Sequence, residues 1–410
     1  MTTSLVRSRA PRGVAVASLV AALWGAAVPA GGARAAGAED LDLAGAGVEF
    51  RALDARAGDA ATLRPGDLGS LLRGRGLLGG DARRVSPAVF VPAVPSPAWS
   101  TSVVPAAAKA VTLGPNVSGL RWRSGASCGV GAFETWRGRR LDVTGTGIRQ
   151  KSFELMLASL RTSEFKAVVT ATPQAIVNIP LLPKDKPKQF AACAKGSFDT
   201  FYRQMGGLLV KAGAGQAILR LGWEANIGSR SHPWGIDTAA DIPNWVKCFR
   251  RAAAQLKLTA PGVKIEWTNA KASVLPVSDL AANPGDDVTD LWGLHYYDAN
   301  AQFRTQAAWD TFYSQTRFGG PQGMGTWLAE AKRRGKLLGI PEWGVWAREV
   351  TAAEADNPLY IQNMYKALKA NAATIAYENY YNCPLAHRLH PDSPFPKASA
   401  AYRRLWLAGK

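Results

Sequence analysis

The chain is poor in the residues that usually build metal centres. Only four histidines and four cysteines occur among 410 residues. The cysteines are far apart and form no C-x-x-C pair, which argues against zinc. His387 and His390 form an H-x-x-H pattern, but no third ligand accompanies it. We therefore expect no metal site. No Gly-rich phosphate loop is present either, so we also expect no nucleotide or other cofactor.

Acidic residues are also scarce. The chain has 31 of them against 49 lysines and arginines, which gives a formal net charge of +18. Such a charge favours anionic partners, namely nucleic acid, anionic lipid or an acidic polysaccharide. Because there is no run of five or six like charges and no nucleic-acid motif, we expect no nucleic-acid binding. The alternative is a basic surface with no specific anionic ligand.

Long apolar runs are absent except near the N-terminus. There, three arginines precede the uncharged stretch Val14–Ala30. The small residues of Ala33-Arg34-Ala35 then form an A-x-A cleavage site. This pattern predicts a secretory signal peptide over residues 1–35 and a secreted or periplasmic protein. A membrane anchor is the weaker alternative, because the run is shorter than a spanning helix needs. We expect no membrane span.

An even number of cysteines in an exported chain predicts disulfides. Three pairings are possible for four cysteines. We predict a Cys193–Cys248 bond, since Cys193 just precedes one predicted helix and Cys248 lies within the next.

Composition divides the chain into three parts. After the signal peptide, residues 36–115 are rich in Ala, Gly, Arg and Pro without sustained periodicity, which indicates a linker or extension. From residue 116 to 410, short apolar runs alternate with amphipathic segments, as in repeated βα units. We expect this part to be one catalytic domain and the protein to be a monomer.

The apolar runs predict eight strands, and this number favours a (β/α)₈ barrel, a TIM barrel. They are Ser127–Gly131, Leu141–Gly145, Ala175–Ile179, Ala217–Leu221, Val263–Thr268, Asp290–His295, Lys336–Ile340 and Thr374–Tyr377. A doubly wound open sheet is the alternative fold. Four helices are predicted from their apolar faces: one capped by Ser197, one capped by Asp241, and those within 323–335 and 359–372.

Two of these runs, AILRLGWEAN (217–226) and KLLGIPEWGVW (336–346), end in a glutamate flanked by tryptophan. The glutamates, Glu224 and Glu342, therefore follow strands four and seven. Barrels place their chemistry at the carboxyl ends of the strands, where these two residues can face one substrate. Paired carboxylates with neighbouring aromatic rings are what glycosidic bond cleavage requires.

Four blocks of the sequence resemble glycoside hydrolase family 26 and related barrel enzymes. They are RLGWEAN, NPGDDVTDLWGLHYYD (283–298), LLGIPEWG and DNPLYIQNMY (356–365), within a resemblance that covers about residues 120–385. The resemblance implies a retaining mechanism with Glu224 as acid/base and Glu342 as nucleophile. It also implies that Arg220 holds the nucleophile ionised and that the hydroxyl of Tyr297 contacts it.

The chain departs from the family's pattern at two positions. Trp223 replaces a histidine that typically precedes the acid/base, and His295 stands where relatives often have an aspartate on strand six. Specificity for mannan therefore does not follow from the resemblance. His295 is interpreted as a supporting residue, although a donor to substrate and a buried core histidine are alternatives.

Several further residues are candidates for substrate binding because indole faces and amide groups suit sugars. They are Trp223, Trp234, Asn269, Tyr296, Trp343 and Trp346. Core packing is the alternative for each tryptophan, and loop capping for Asn269. Lys271 and Arg348 are candidates for orienting an anionic polysaccharide, while Glu378 on strand eight is interpreted as one half of a structural ion pair.

The sequence predicts a secreted hydrolase that acts on a polysaccharide or oligosaccharide. Two other functions remain open at this point. One is a carbohydrate-binding or polysaccharide-export barrel without turnover, which would have no reason to keep Arg220, Glu224, Tyr297 and Glu342 together. The other is a transglycosylase, which uses the same residues and differs in how water is excluded.

Overall fold

The computed structural model describes residues 111–383 and 385–408. Eight parallel strands close into a barrel in the order β1-β8-β7-β6-β5-β4-β3-β2. Their bounds are β1 Arg123–Ser127, β2 Val143–Gly147, β3 Gln174–Ile179, β4 Ile218–Leu221, β5 Lys264–Ala270, β6 Leu291–Ala299, β7 Leu338–Trp346 and β8 Ile375–Tyr381. This confirms the (β/α)₈ prediction over the open sheet. The predicted signal peptide and most of the predicted extension lie outside the described residues.

Each predicted strand overlaps the observed one, but the first prediction is displaced. Strand β1 ends at Ser127, where the prediction had it begin. Cys128 and Gly129 follow with φ angles of 63° and 70°, which an extended strand does not allow. Helix α1 then begins at Val130, so the apolar residues after Gly129 are helical.

Helices pack around the barrel between the strands. They are α1 Val130–Arg137, α2 Phe153–Ser159, α3 Ser163–Val169, α4 Phe190–Lys195, α5 Asp199–Lys211, α6 Ile242–Thr259, α7 Gln306–Tyr313, α8 Met324–Arg333, α9 Ala352–Ala355, α10 Pro358–Ala370 and α11 Pro396–Ala408. A short antiparallel hairpin, Thr316–Arg317 with Gly320–Pro321, lies between α7 and α8. Within the described ranges, no helix combines the length and the apolar character needed to cross a membrane.

Local sequence explains the best-predicted helices. Helix α6 has a proline in its first turn and buries Trp245, Phe249 and Leu256 along one face, as predicted. Helix α5 begins at Asp199, and its N-cap is Phe198 without a side-chain hydrogen bond. The predicted cap at Ser197 is therefore one residue too early.

The apolar part of the barrel interior lies at the amino-terminal ends of the strands. Six buried residues form a plug there: Val143, Ile176, Ile218, Leu291, Ala376 and Tyr377. Three of them are the first residues of their strands and the other three are second or third, so the amino-terminal end of the barrel is closed. The carboxyl ends of the strands are left for polar side chains, as in other (β/α)₈ proteins.

Two disulfides link segments of the chain that are distant in sequence. Cys193–Cys248 joins α4 to α6, which confirms the predicted pair. Cys128–Cys383 links the end of β1 to the segment after β8, across 255 residues of sequence. The second bond therefore fastens the two strands at which the barrel closes.

We expect the double variant Cys128→Ser/Cys383→Ser to lose roughly 2–4 kcal/mol of unfolding free energy, because its unfolded chain is no longer cross-linked. Denaturant unfolding measures this loss. Thiol labelling of the unfolded, unreduced wild type should find no free thiol, and Cys193→Ser/Cys248→Ser serves as the matched variant with the other bond removed. Four reactive thiols in the wild type would contradict both disulfides.

Candidate active site

Glu224 lies in a tight turn directly after β4. Gly222 and Glu224 have φ angles of 54° and 52°, so the chain reverses within three residues. The Gly222 amide donates to the Ile179 carbonyl and the Glu224 amide donates to the Thr268 carbonyl, each at 2.9 Å. Strands β3 and β5 therefore hold the turn from both sides and fix the direction of the carboxylate.

The residues after Glu224 are fastened to β5 by a buried asparagine. The Asn226 side chain pairs with the backbone of Ala270, donating at 2.8 Å and accepting at 3.0 Å. It also donates to Asp279 at 3.0 Å. Burial raises the pKa of Asp279 to about 6. These bonds restrict the loop that carries Glu224.

Glu342 lies within β7, which runs to Trp346, and not after the strand as predicted. It receives two hydrogen bonds. Arg220 Nη1 donates to Oε1 at 2.6 Å, and the Tyr297 hydroxyl donates to Oε2 at 2.9 Å. Burial raises the pKa of Glu342, but the charge of Arg220 and the hydrogen bond from Arg220 act against burial, and the net pKa is lowered. Glu342 is therefore ionised, and both contacts match what the resemblance implied for Arg220 and Tyr297.

His295 lies between the two glutamates. Its Nε2 contacts Arg220 Nη2, and because arginine has only donors, Nε2 must accept and the ring proton is on Nδ1. Nδ1 lies 2.5 Å from Glu224 Oε1 and 3.7 Å from Glu342 Oε2, so those two oxygens are at most about 6.2 Å apart. Strands four, six and seven thus bring the predicted residues to one point.

A second histidine contacts Glu224, and the sequence reasoning missed it. His232 Nε2 lies 3.1 Å from Glu224 Oε2. Its ring stacks on Trp234 at 4.7 Å and meets the ring of Trp223 edge-on at 5.3 Å. One feature of the sequence could have pointed to it, namely the absence of a histidine directly before Glu224. A histidine elsewhere in the same loop could take the place of the missing one.

Glu224 is ionised in this environment. Burial raises its pKa, but hydrogen bonds from His232 and His295 lower it well below its ordinary range. An acid/base role requires a protonated form, so the carboxyl by itself does not retain the needed proton at neutral pH.

A group of aromatic rings lies beside Glu342. Trp346 lies 5.6 Å from Tyr297, and both are half-buried. His387 lies 5.1 Å from Tyr297 and 5.2 Å from Tyr381. His387 Nδ1 bonds to the carbonyl of Val345 at 3.1 Å, and burial lowers the pKa of His387 to about 4. Trp346 and His387 thus lie against Tyr297, whose hydroxyl contacts Glu342.

The H-x-x-H pattern does not form a pair in space. His390 stacks on Trp136, 5.2 Å away, outside the group around Glu342. No cluster of three or more potential metal ligands occurs among the residues that the structure describes.

Three predicted substrate-binding residues have no exposed surface: Trp234, Tyr296 and Trp343. The Trp234 indole donates to the Trp223 carbonyl at 2.7 Å, and the Trp343 indole donates to Glu378 at 2.7 Å. A ring without exposed surface has no face for a sugar, so these side chains belong to the core. Trp223 is 6% exposed and packs on Trp234, which makes it a support for the site.

Asn269 is the remaining predicted contact. It lies near the carboxyl end of β5 and its side chain is buried. Its Nδ2 has no hydrogen-bond partner among the described residues. A buried, unsatisfied amide costs free energy, so this donor has a reason to bind a ligand oxygen.

Glu378 is structural, but its partners differ from the predicted ion pair. It accepts from the indoles of Trp343 at 2.7 Å and Trp406 at 3.0 Å, and from the hydroxyl of Ser124. Burial raises the pKa of Glu378. The prediction of an ion pair is therefore corrected: hydroxyl and indole donors satisfy this carboxyl.

The two basic candidates differ in their surroundings. Lys271 donates to Gln302 at 2.8 Å and lies 4.2 Å from the ring of Phe312. The guanidinium of Arg348 lies 5.4 Å from the ring of Trp346. Arg348 therefore contacts the aromatic group beside Glu342.

Comparison with solved structures gives the same barrel. The chain is similar to GH26C from Muricauda sp., with 14% identity, 72% of this chain and 86% of that chain covered, and a TM-score of 0.51. It is also similar to a GH26 β-mannanase from Bacteroides ovatus, with 12% identity, 70% and 89% covered, and a TM-score of 0.50. At such identities the likeness shows the fold. No family model matches the chain. No curated protein matches it either.

We expect Gly222→Ala to lower the free energy of unfolding by about 1–3 kcal/mol, since the position needs a positive φ. An added Cβ would also lie 2.9 Å from the Cβ of Leu181. Chemical denaturation measures the effect. The control is Gly207→Ala in α5, where an added Cβ meets nothing within 4 Å and helix propensity predicts no loss. Equal stability of the two variants would contradict the constraint on the turn.

Proposed function

We propose that the chain is a secreted glycoside hydrolase that cleaves a polysaccharide or oligosaccharide by double displacement. Glu342 is the nucleophile and Glu224 the acid/base. The observation that carries the proposal is the position of both carboxylates around His295, with Arg220 and Tyr297 bonded to Glu342. A predicted signal peptide and two disulfides support secretion.

The separation of the carboxylates favours retention of configuration. Retaining enzymes place the two groups about 5–5.5 Å apart, whereas inverting enzymes leave about 6.5–9.5 Å for a water molecule. The upper bound of about 6.2 Å between Glu224 Oε1 and Glu342 Oε2, set by their distances of 2.5 and 3.7 Å from His295 Nδ1, lies below the inverting range.

In the first step, a Glu342 oxygen forms a bond to the anomeric carbon while the bond to the leaving oxygen breaks. Glu224 gives a proton to that oxygen, and the first product leaves. Arg220 and Tyr297 keep Glu342 ionised and aimed, because each donates to one of its oxygens. The nucleophile therefore enters the reaction as a carboxylate.

In the second step, water attacks the anomeric carbon of the glycosyl-enzyme. Glu224, now a carboxylate, takes a proton from that water, and the bond to Glu342 breaks. The sugar is released with its original configuration, and both glutamates return to their starting states.

Two residues around the pair have groups that suit a sugar. Asn269 offers an amide donor without a partner among the described residues, and Trp346 offers a half-buried ring. We propose these as contacts for hydroxyl groups and a ring face. Their positions beside Glu342 and at the end of β5 suit a chain that crosses the mouth of the barrel.

The geometry favours turnover over binding alone. Arg220 is 1% exposed and paired with Glu342, and an ion pair at that depth carries a large desolvation cost. A binding protein would be as stable, or more so, with apolar residues there. A nucleophile that must stay ionised in a buried site explains the arrangement. We also propose that the enzyme acts as a monomer, since the predicted site residues all come from one barrel.

We expect Glu224→Gln and Glu342→Gln each to lower kcat on a cleaved polysaccharide by at least about 10²-fold, since each removes a group that acts in the transition state. Mass analysis of products from a panel of neutral and acidic polysaccharides measures cleavage and separates hydrolysis from transglycosylation. Glu164→Gln is the control, because Glu164 is a solvent-exposed carboxylate in the first turn of α3, outside the site. Full activity in either glutamine variant of the pair would refute its role.

We further propose an anionic polysaccharide as substrate. The net charge of +18, of which the four arginines of residues 1–35 would be lost with the signal peptide to leave +14, supports it, as does the position of Arg348 beside Trp346. We expect kcat/KM to fall steeply with rising salt, because the Debye length shrinks to about 8 Å at physiological ionic strength.

The control for this proposal is a neutral mannan, whose cleavage should not depend on salt. Arg348→Gln should weaken action on the acidic polysaccharide only. Rates that do not change from low to high salt, or a preference for the neutral substrate, would contradict the proposed substrate charge.

A further inference from the structure

The acid/base carboxyl has two oxygens with different neighbours. His295 must donate from Nδ1 to Glu224 Oε1, because Arg220 has only donors and occupies Nε2. His295 cannot take up a further proton, because its Nδ1 already carries one and its Nε2 accepts from Arg220. Oε2 is therefore the oxygen at which Glu224 can exchange a proton with a neighbouring imidazole.

His232 is the described side chain that contacts Oε2, with its Nε2 3.1 Å away. A carboxylate oxygen has two acceptor directions, so Oε2 can face His232 and a leaving oxygen at the same time. An imidazole ordinarily titrates near pH 6.5 and a glutamic acid near 4.3. Such a pair retains a proton to higher pH than the carboxyl would alone.

The loop that carries His232 is held rigidly. The His232 amide donates to the Gly228 carbonyl at 3.3 Å, and the His232 carbonyl accepts from Gly235 at 2.8 Å. The Trp245 indole donates to the Trp234 carbonyl at 3.0 Å, so the ring on which His232 stacks is fixed as well. His232 is 3% exposed. The ring therefore holds its Nε2 toward Glu224.

Charged groups face this pair from two sides. On the site side lie Arg220, His295 and Glu342. On the loop side lie Lys188, Asp237 and Asp241, which pair with one another at 2.8 and 3.0 Å. Since the loop-side charges satisfy one another, Glu224 is the one described carboxylate that contacts the His232 ring.

We propose that His232 is a positioning residue of the acid/base, which stores the exchangeable proton on Nε2 and exchanges it with Glu224 Oε2. This rests on the proposed function. In the first step the proton moves from His232 Nε2 to Glu224 Oε2 and on to the leaving oxygen, which leaves a neutral imidazole and a carboxylate. In the second step a proton of the attacking water moves to Oε2 and back to Nε2.

This assignment accounts for an ionised acid/base. Glu224 has a lowered pKa and so does not hold a proton by itself at neutral pH. A neighbouring imidazole can hold it, 3.1 Å away. The assignment also gives a role to a histidine that stands eight residues after Glu224, in a chain whose residue 223 is tryptophan.

The first test is the pH profile of kcat/KM in His232→Phe, which keeps a ring to stack on Trp234. We expect the alkaline limb of the profile to move to lower pH by about one pH unit or more, since only the carboxyl then holds the proton. Above the new position of that limb, activity should fall about tenfold for each pH unit by which the limb has moved. A merely structural role would lower the rate equally at all pH values.

The matched control is His390→Phe, because His390 also stacks on a tryptophan, at 5.2 Å, and lies outside the site. Its profile should equal that of the wild type. His232→Gln serves in place of His232→Phe if the latter does not fold. An alkaline limb that stays in place, or moves to higher pH, in the His232 variant would overturn the proposal.

The second test needs no substrate. With only four histidines in the chain, ¹⁵N-histidine NMR resolves each ring, and His232→Phe assigns the signal. We expect the midpoint of the His232 titration to move to lower pH in Glu224→Gln, because the anionic partner is lost. The midpoint of His390 should stay the same.

An identical His232 midpoint in the wild type and in Glu224→Gln would overturn the proton-storage role. If the wild type cleaves no polysaccharide, the proposed function fails, whereas the NMR titration still decides whether His232 and Glu224 share a proton. The two failures are therefore distinguishable.

Discussion

The candidate site depends on one buried guanidinium, that of Arg220. It is 1% exposed, and it contacts Glu342 with one nitrogen and His295 with another. Because arginine only donates, it keeps Glu342 ionised and forces the proton of His295 toward Glu224. Removing this charge would leave Glu342 buried and unpaired, which is costly. The roles of three residues thus follow from one side chain on β4.

Inside the barrel, a layer of buried polar residues lies beneath Arg220. Glu266 on β5 is fully buried, accepts from the Tyr377 hydroxyl at 2.6 Å and from Thr268 at 2.7 Å, and has a pKa that burial raises. Strands β6 and β7 carry Gly293 and Gly339 beside it, where an added Cβ would lie 2.4 and 2.7 Å from its carboxylate oxygens. Two glycines in otherwise apolar strands are explained by this space requirement. A polar layer therefore lies between the apolar plug and the two glutamates of the candidate site, Glu224 and Glu342.

The tryptophans illustrate how this site is built. Trp343 follows Glu342 in sequence but points away from it, since neighbouring side chains on a strand alternate between faces. Its indole reaches Glu378, which joins β7 to β8 and to α11 through Trp406. Trp234 and Trp223 likewise form the support for His232. Aromatic residues beside a candidate catalytic glutamate in sequence can therefore be its scaffold, with Trp346 as the ring that stays half-buried near the proposed nucleophile.

The sequence alone determined the barrel, the helix faces and the position of both glutamates. Apolar runs and helical periodicity are local properties, so they can be recognised without knowledge of the fold. The predicted strand ends then locate the mouth of the barrel. Arg220 and Tyr297 could be placed because they match motifs of a known family. The sequence could not place His232 and His387, nor show that Trp234, Tyr296 and Trp343 are buried. These outcomes depend on which loop packs against which strand end, and only the closed barrel brings such distant segments within hydrogen-bonding distance.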